Sequence, residues 1–395
     1  MIMIKTAIII ERIDISLGGA ERSISELAAQ LSSDGIDVTI LAAKGLGDSE
    51  KMKVLCEDSP GKRTPLKVFG EALKKHIGES DYDIIHSTLP FDFADIFQPR
   101  GGSYLEAMIR NADSYSNPFV RSFKKATHFT NLKRYAMVRA EKKLCQPTNN
   151  TIIAALSHYV AGQFKRHYDI AAERIRVIAN AVNVENITKP TQSDQLRTNW
   201  LKEFKAADPA KAIIFLFGAN NFRLKGLPSV LKAVRMIKSD ANGARVCLVV
   251  AGNGKIAKYK KLAESLGVSD NVFFAGAISN MPDAFATSDV VVLPSFYDPC
   301  SRFILEGIVA KKPAITTRFN GASEAFENDR HGKIIADGSD AQALAEAMKY
   351  FAVRENIDAA STAIESDGLR KNISIERHSR EMIELYKEII NGREK

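Results

Sequence analysis

Short, nearly continuous apolar runs alternate along this chain with stretches whose apolar residues recur every three or four positions. Thr6–Ile10, Val38–Leu41, Ile84–His86 and Ile152–Leu156 are the runs of the first half. Ile213–Phe217, Val246–Ala251, Val272–Phe274, Val290–Leu293 and Ala314–Thr317 are those of the second. They lack the polar alternation of a half-solvated strand. Strands apolar on both sides are covered on both faces, which predicts parallel sheets with crossover helices. Between the runs, Ile24, Leu27, Ala28 and Leu31 follow the spacing of an amphipathic helix, as do Leu344, Ala345, Met348 and Phe351. The strand–helix cadence runs twice, so the expected class is α/β with two Rossmann-like doubly wound domains. The polar stretch Asn183–Ser193, with Pro190, separates the predicted strand Arg176–Ala179 from a helical pattern starting near Asp194. The expected domains are 1–185, 186–372 and a C-terminal segment, 373–395. Its charged helical pattern, Ser374–Ile390, is not placed by periodicity.

Composition narrows the class without naming a function. Of 395 residues, 45% are hydrophobic and 26% charged, which excludes a disordered chain and a small disulfide scaffold. Cys56, Cys145, Cys247 and Cys300 are far apart and form no CxxC pair, so a zinc site or disulfide framework is not expected. Met1–Ile10 lacks a basic flank and a cleavage site, and no run approaches the roughly 20 apolar residues of a membrane span. A cytoplasmic protein is the expectation. Lys and Arg number 55 against 47 Asp and Glu, a net charge of +8. Most of that excess sits in residues 114–150, where Arg121, Lys124, Lys125, Lys133, Arg134, Arg139, Lys142 and Lys143 face one acid, Glu141. Phe119, Phe123, Phe129, Leu132 and Tyr135 lie between the cations. Such a window suits an anionic membrane surface; a solvated helix face or nucleic-acid contact are the alternatives.

The candidate chemistry lies in loops that follow strands. After Val290–Leu293 comes Pro294–Ser301, then a helical pattern from Arg302 to Ala310 that contains Glu306. In open parallel sheets ligands bind outside the carboxyl ends of the strands, and amides at a helix start suit phosphate. Asp298 and Glu306 can then face one ligand; otherwise Asp298 caps the helix and Glu306 is solvated. The loop after Ile213–Phe217 carries Arg223 and Lys225, two cations that could neutralise a diphosphate or stand solvated. Gly252 and Gly254 follow the next strand but form no Walker loop, and Gly18 and Gly19 precede the first helical pattern without a full GxGxxG fingerprint. His86 ends its strand on the side of the expected crevice. Asp81 and Asp83 have a metal-binding spacing, yet they precede their strand and so stand at its wrong end.

Taken in order, these pieces resemble the retaining GT-B glycosyltransferases of the family 4 type. The resemblance rests on Gly18-Gly19-Ala20-Glu21, Ser157-His158-Tyr159-Val160, Ile175–Asn183, Lys225-Gly226, Gly252-Asn253-Gly254, Asp298 to Glu306, and Thr317–Glu324 with Gly321 and Glu324. The loop Gly101–Tyr104 and the basic window are most similar to the lipopolysaccharide-core sugar transferases of that family. The resemblance implies two Rossmann-like domains facing a cleft, with a last helix crossing back to the first domain. It implies a nucleoside diphosphate sugar, a UDP-sugar favoured, as co-substrate, no metal cofactor, and retention at the anomeric carbon. By the same resemblance Glu306 holds the ribose hydroxyls and Asp298 meets the donor sugar. Arg223 and Lys225 flank the diphosphate, amides near Ser301, Arg302 and Phe303 touch it, and Gly18, Gly19, Gly252 and Gly254 belong to the donor site. His86 matches the family's histidine. Asp298 stands where a Glu is commoner, and Thr88 where a second histidine is frequent.

The expected reaction is transfer of a hexose to a hydroxyl of a saccharide or glycolipid acceptor in envelope polysaccharide or lipopolysaccharide synthesis. The expected place is the inner face of the cytoplasmic membrane, without a nucleic-acid partner. The alternatives are a nucleotide-sugar epimerase of the same fold and a non-catalytic basic module binding membrane or nucleic acid.

Overall fold

The computed structural model describes residues 3–14, 18–45, 51–57, 64–127, 132–204, 208–238 and 244–393. Phe129 and the side chain of Lys133, both in the basic window, lie outside the described residues. The chain forms two compact units. One comprises Met1–Ile109, Phe123–Val182 and Ser374–Lys395, and the other Arg110–Ser122 and Asn183–Ile373.

The first unit is built on seven strands: β1 (Lys5–Arg12), β2 (Asp37–Lys44), β3 (Met52–Val54), β4 (Ile84–Ser87), β5 (Ile96–Phe97), β6 (Ile152–Ala155) and β7 (Ile175–Val177). They lie in the order β3-β2-β1-β4-β5-β6-β7, all parallel. Alternate residues of β1 enter different cores. Ile8 and Ile10 pack with Leu27, Leu31 and Tyr386, while Ala7 and Ile9 pack with Phe69, Leu73 and Phe91. That double burial is why the run is apolar throughout. The terminal helix Ile375–Arg393 packs on this unit, against helix Gly19–Ser33, and buries Met382, Leu385 and Tyr386.

The second unit has six strands: β8 (Ala212–Gly218), β9 (Arg245–Ala251), β10 (Val272–Gly276), β11 (Val290–Leu293), β12 (Ala314–Thr317) and β13 (Gly332–Ile335). Their order is β10-β9-β8-β11-β12-β13, again all parallel. The direction of winding reverses between β8 and β11, which opens a crevice at the carboxyl ends of those two strands. Both units are thus Rossmann-like, as the apolar cadence predicts. All four cysteines are free and buried.

Three strands escape the sequence pattern: Met52–Val54, Ile96–Phe97 and Gly332–Ile335. The first two are too short to show a period and Gly332–Ile335 opens on Gly and Lys rather than an apolar run, so the sheet around them, rather than their own composition, makes them strands. The single acid of the basic window is also not where charge patterning puts it. Glu141 is fully buried in helix Leu132–Leu144. Its carboxylate accepts hydrogen bonds from the Tyr104 amide at 2.9 Å, the Ser103 hydroxyl at 3.3 Å and the Tyr168 hydroxyl at 2.6 Å. It therefore sits at the start of helix Tyr104–Asp113, where negative charge is favourable.

Burial nevertheless outweighs those donors and pushes the Glu141 carboxyl up to about 8. Between the ordinary Glu value of about 4.3 and about 8, the folded protein holds a proton that the unfolded chain releases. This contribution to stability therefore falls as pH rises through that window. The melting temperature, followed by circular dichroism, should decline between pH 5 and pH 8 in the wild type and less steeply in Glu141→Gln. Parallel profiles for the two proteins would remove Glu141 as the source.

Candidate active site

In the second unit, loops at the carboxyl ends of β8, β9, β11 and β12 are held together by close backbone contacts. Gly226 has a φ of +83° and starts helix Leu227–Ile237, where a side chain would strike the carbonyl of Pro294 in the β11 loop. Gly252 has a φ of +120°, and a Cβ there would collide with the Ala219 carbonyl. Gly254 leaves room for the ring of Phe222. Gly226, Gly252 and Gly254, all singled out in the sequence, thus serve first to let one loop lie on the next.

That packing brings Lys225 to Asp298. The Lys225 ammonium donates to Asp298 Oδ2 at 2.6 Å and to the Tyr297 carbonyl at 3.0 Å, with both side chains mostly buried. Asp298 is clamped through its backbone, its amide donating to the Phe319 carbonyl at 2.9 Å and its carbonyl accepting from Gly321 at 3.0 Å. Four residues later helix Arg302–Val309 begins. Ser301 occupies the position before it, but its side chain does not cap the helix. The first amides of a helix have no intrahelical partner and carry the positive end of its dipole. Glu306, in the second turn, is buried and takes an ion pair from Arg302, Nη2 to Oε1, at 3.1 Å. Asp298 therefore is not a helix cap, and Glu306 is not solvated. Phe303 packs over Gly218, where a Cβ would strike its ring, and beside Phe285.

The expected pair of diphosphate cations is divided. Lys225 turns to Asp298, whereas the Arg223 guanidinium stacks 3.8 Å from the Tyr115 ring centroid. Arg223 also donates to the Asn111 carbonyl at 3.0 Å and to the Ser114 hydroxyl. Burial pulls its pKa below the usual guanidinium range. Two residues apart in a turn, the two side chains leave the backbone in different directions, which spacing alone does not reveal.

Gly18, Gly19 and His86 belong to the first unit. Gly18 precedes helix Gly19–Ser33 and Gly19 is its first residue. His86 has no exposed surface, and its Nδ1 pairs with the Tyr386 hydroxyl at 2.8 Å. Burial, and then the neighbouring Arg100 charge, lower its pKa to about 3, so the ring is neutral. These are the surroundings of a core residue. Asp83 accepts from the Lys5 amide at 2.8 Å at the amino end of its strand.

Sequence reasoning missed Asn320. It is fully buried in the β12 loop, and its Oδ1 accepts from the amides of Ser301 and Ala322, each at 3.1 Å. Its Nδ2 donates to Thr316 at 3.0 Å. Asn320 thereby fixes the start of the helix to β12. An Asn beside a Gly reads as a turn, so no local signal marked it.

Two family models match this chain: Glycosyltransferase Family 4 over residues 17–186 and Glycosyl transferases group 1 over residues 199–362. Among curated proteins it is 26% identical to the putative glycosyltransferase EpsD of Bacillus subtilis over 298 residues, 74% of this chain and 73% of that one. It is 22% identical to the lipopolysaccharide glucosyltransferase WaaG of Escherichia coli over 210 residues, 53% of this chain and 55% of that one. The crystal structure of WaaG superposes with a TM-score of 0.76 at 17% identity, covering 96% of this chain and 99% of that one. A structure of Anabaena HepE in complex with UDP-glucose superposes with a TM-score of 0.71 at 17% identity, covering 97% and 99%.

Proposed function

We propose, for a chain that belongs to the GT-B glycosyltransferases with group 1 and family 4 domains, a retaining transfer of a hexose from a nucleoside diphosphate sugar. The acceptor is a hydroxyl of a saccharide or glycolipid in envelope polysaccharide synthesis. The observation that carries this reading is the Lys225–Asp298 pair beside the start of helix Arg302–Val309, which the Ser301 side chain does not cap, at the switch point between β8 and β11. The EpsD and WaaG relatives support glycosyl transfer, and the UDP-glucose complex of HepE supports a nucleotide-sugar donor.

The demanding step is departure of a nucleoside diphosphate while the sugar takes on oxocarbenium character. Negative charge grows on the leaving phosphate, so fixed positive ends aimed at it stabilise the transition state more than the ground state. Lys225 and the amides of Phe303 and Ile304 supply such ends. Asp298 holds the ammonium in place and stands where the sugar hydroxyls arrive. Glu306 accepts the ribose hydroxyls. With no carboxylate assigned as nucleophile, the acceptor hydroxyl attacks from the face the diphosphate leaves, and the leaving phosphate takes its proton. The residues present supply the positive charge themselves, so no metal is assigned.

The test is a thermal-shift screen of UDP-, GDP- and ADP-sugars, followed by donor hydrolysis and identification of the product anomer. We expect a UDP-sugar to stabilise the protein, turnover to persist in excess EDTA, and the anomeric configuration to be kept. Loss of turnover in EDTA with rescue by Mg²⁺ or Mn²⁺ would overturn the metal-free mechanism, and an inverted product would overturn retention.

The same reading places the protein on a membrane surface. Helix Pro118–Ala126 buries none of its residues, and Phe119 and Phe123 are 84% and 63% exposed on the helix that carries Arg121, Lys124 and Lys125. Leu132, a few residues on, is 79% exposed. Among the described residues no helix is long and apolar enough to cross a membrane. Cations at an anionic leaflet contribute about 1 kcal/mol each, so changing Lys124, Lys125 and Arg134 together to Gln removes about 3 kcal/mol, on the order of 10²-fold in partitioning. Co-sedimentation with phosphatidylserine vesicles at low salt should fall by that factor while donor hydrolysis is kept. Wild-type protein that ignores such vesicles would leave the helix without a membrane role.

A further inference from the structure

Beside the active-site loops the second unit holds a cavity of about 680 Å³ that none of Lys225, Asp298, Ser301 or Glu306 lines. The turn Asn220–Arg223 and Phe296 form part of its wall, so it abuts the loops that carry Lys225 and Asp298 without containing them. Its charge is one-sided. Arg121, Arg223, Lys232, Lys255 and Lys258 line it, against the single acid Asp113. Asp113 is already 3.9 Å from Arg110. The two guanidinium groups are held by backbone carbonyls, Arg121 by that of Tyr115 and Arg223 by that of Asn111. Carbonyls fix those cations without neutralising them. Lys232, Lys255 and Lys258 are exposed and have no carboxylate partner among the described residues. Five like charges converging on one hollow repel one another, and a polyanion relieves that repulsion.

We infer that this cavity takes a phosphate-bearing part of the acceptor saccharide. The inference rests on the sugar-transfer reading above and gives the acceptor a chemical class. A volume of this size accommodates one or two sugar rings with their phosphates, by comparison with the roughly 300–1,000 Å³ of small-molecule sites. Two arginines with exposed lysines on the same cavity suit phosphate oxygens, the former by directed donors and the latter as point charges. An acceptor anchored there has its free hydroxyl delivered toward the adjoining loops, and a neutral saccharide of the same size lacks the anchor.

The experiment is a calorimetric titration of the full chain with fructose 1,6-bisphosphate, with UDP saturating throughout and maltose as the neutral control. It is repeated with Lys232→Gln/Lys255→Gln/Lys258→Gln. The wild type should bind the bisphosphate and not maltose. The variant should bind it about tenfold more weakly, each exposed ion pair contributing about a factor of two, with hydrolysis of the UDP-sugar unchanged. No bisphosphate binding under saturating UDP would overturn the inference by merging the cavity with the donor site. Equal binding of maltose, or undiminished binding by the variant, would overturn it by removing the role of charge. A wild type that binds the bisphosphate but neither binds nor hydrolyses any nucleotide sugar would instead defeat the sugar-transfer reading.

Discussion

Lys225→Ala should lower the turnover number by on the order of 10²–10³ while changing the Michaelis constant for the donor far less. The asymmetry follows from where the charge develops. In the bound donor the diphosphate charge is spread over both phosphates and partly solvated, whereas in the transition state it concentrates on the departing oxygen. An ammonium held at 2.6 Å from Asp298 cannot swing away, so it is in place before the bond breaks. A purely structural Lys225 would give a different result, because loosening the loop lowers donor affinity and melting temperature without singling out the chemical step. Steady-state kinetics on Lys225→Ala and Lys225→Arg, with melting temperatures alongside, separate the two. Full turnover in the alanine variant would reduce Lys225 to a tether for the β11 loop.

The second large effect is on binding. Glu306→Ala should weaken the free nucleoside diphosphate by about 1.5–3 kcal/mol for each charged hydrogen bond lost to a ribose hydroxyl, or roughly 10- to 150-fold for one. Affinity for inorganic pyrophosphate, which has no ribose, should be kept or improved, because removing the carboxylate frees Arg302 of the ion pair at 3.1 Å. Calorimetry with both ligands gives the contrast directly. Unchanged affinity for the nucleoside diphosphate would sink the ribose role and leave Glu306 as the partner of Arg302.

The fold was legible because burial on both faces writes itself into a strand. Val290–Leu293 and Ala314–Thr317 match the observed strands end to end, and β1 exceeds its apolar run by a residue before it and two after. Where a strand is two or three residues long, as at Ile96–Phe97, the neighbouring ladders determine it and the local sequence is silent. The candidate site was legible in its loops but not in its pairings. Asp298, Lys225 and Glu306 could be picked out by spacing, yet spacing carries no side-chain direction. Arg223 therefore looked like a twin of Lys225, and the Arg302–Glu306 pair went unseen. His86 looked placed for a crevice because strand position says nothing about a helix that returns 300 residues later to cover it.

That returning helix bears on how the chain comes to be folded at all. The first unit's core includes Met382, Leu385 and Tyr386, and the His86–Tyr386 and Ser379–Asp34 hydrogen bonds join residues separated by 300 and 345 positions. During synthesis the parallel sheet of this unit is complete once β7 has emerged, but the core on one of its faces stays incomplete until helix Ile375–Arg393 leaves the ribosome. At 5–20 residues per second that is a delay of roughly ten to forty seconds. For that time the cluster of Ile8, Ile10, Leu27 and Leu31 lacks the cover of Met382, Leu385 and Tyr386, although the second unit's sheet is already being made. The nascent chain is thus a client for whatever shields apolar surface in the cell. A truncation within helix Ile375–Arg393 acts on the amino-terminal fold, far from the place in the sequence where it is made.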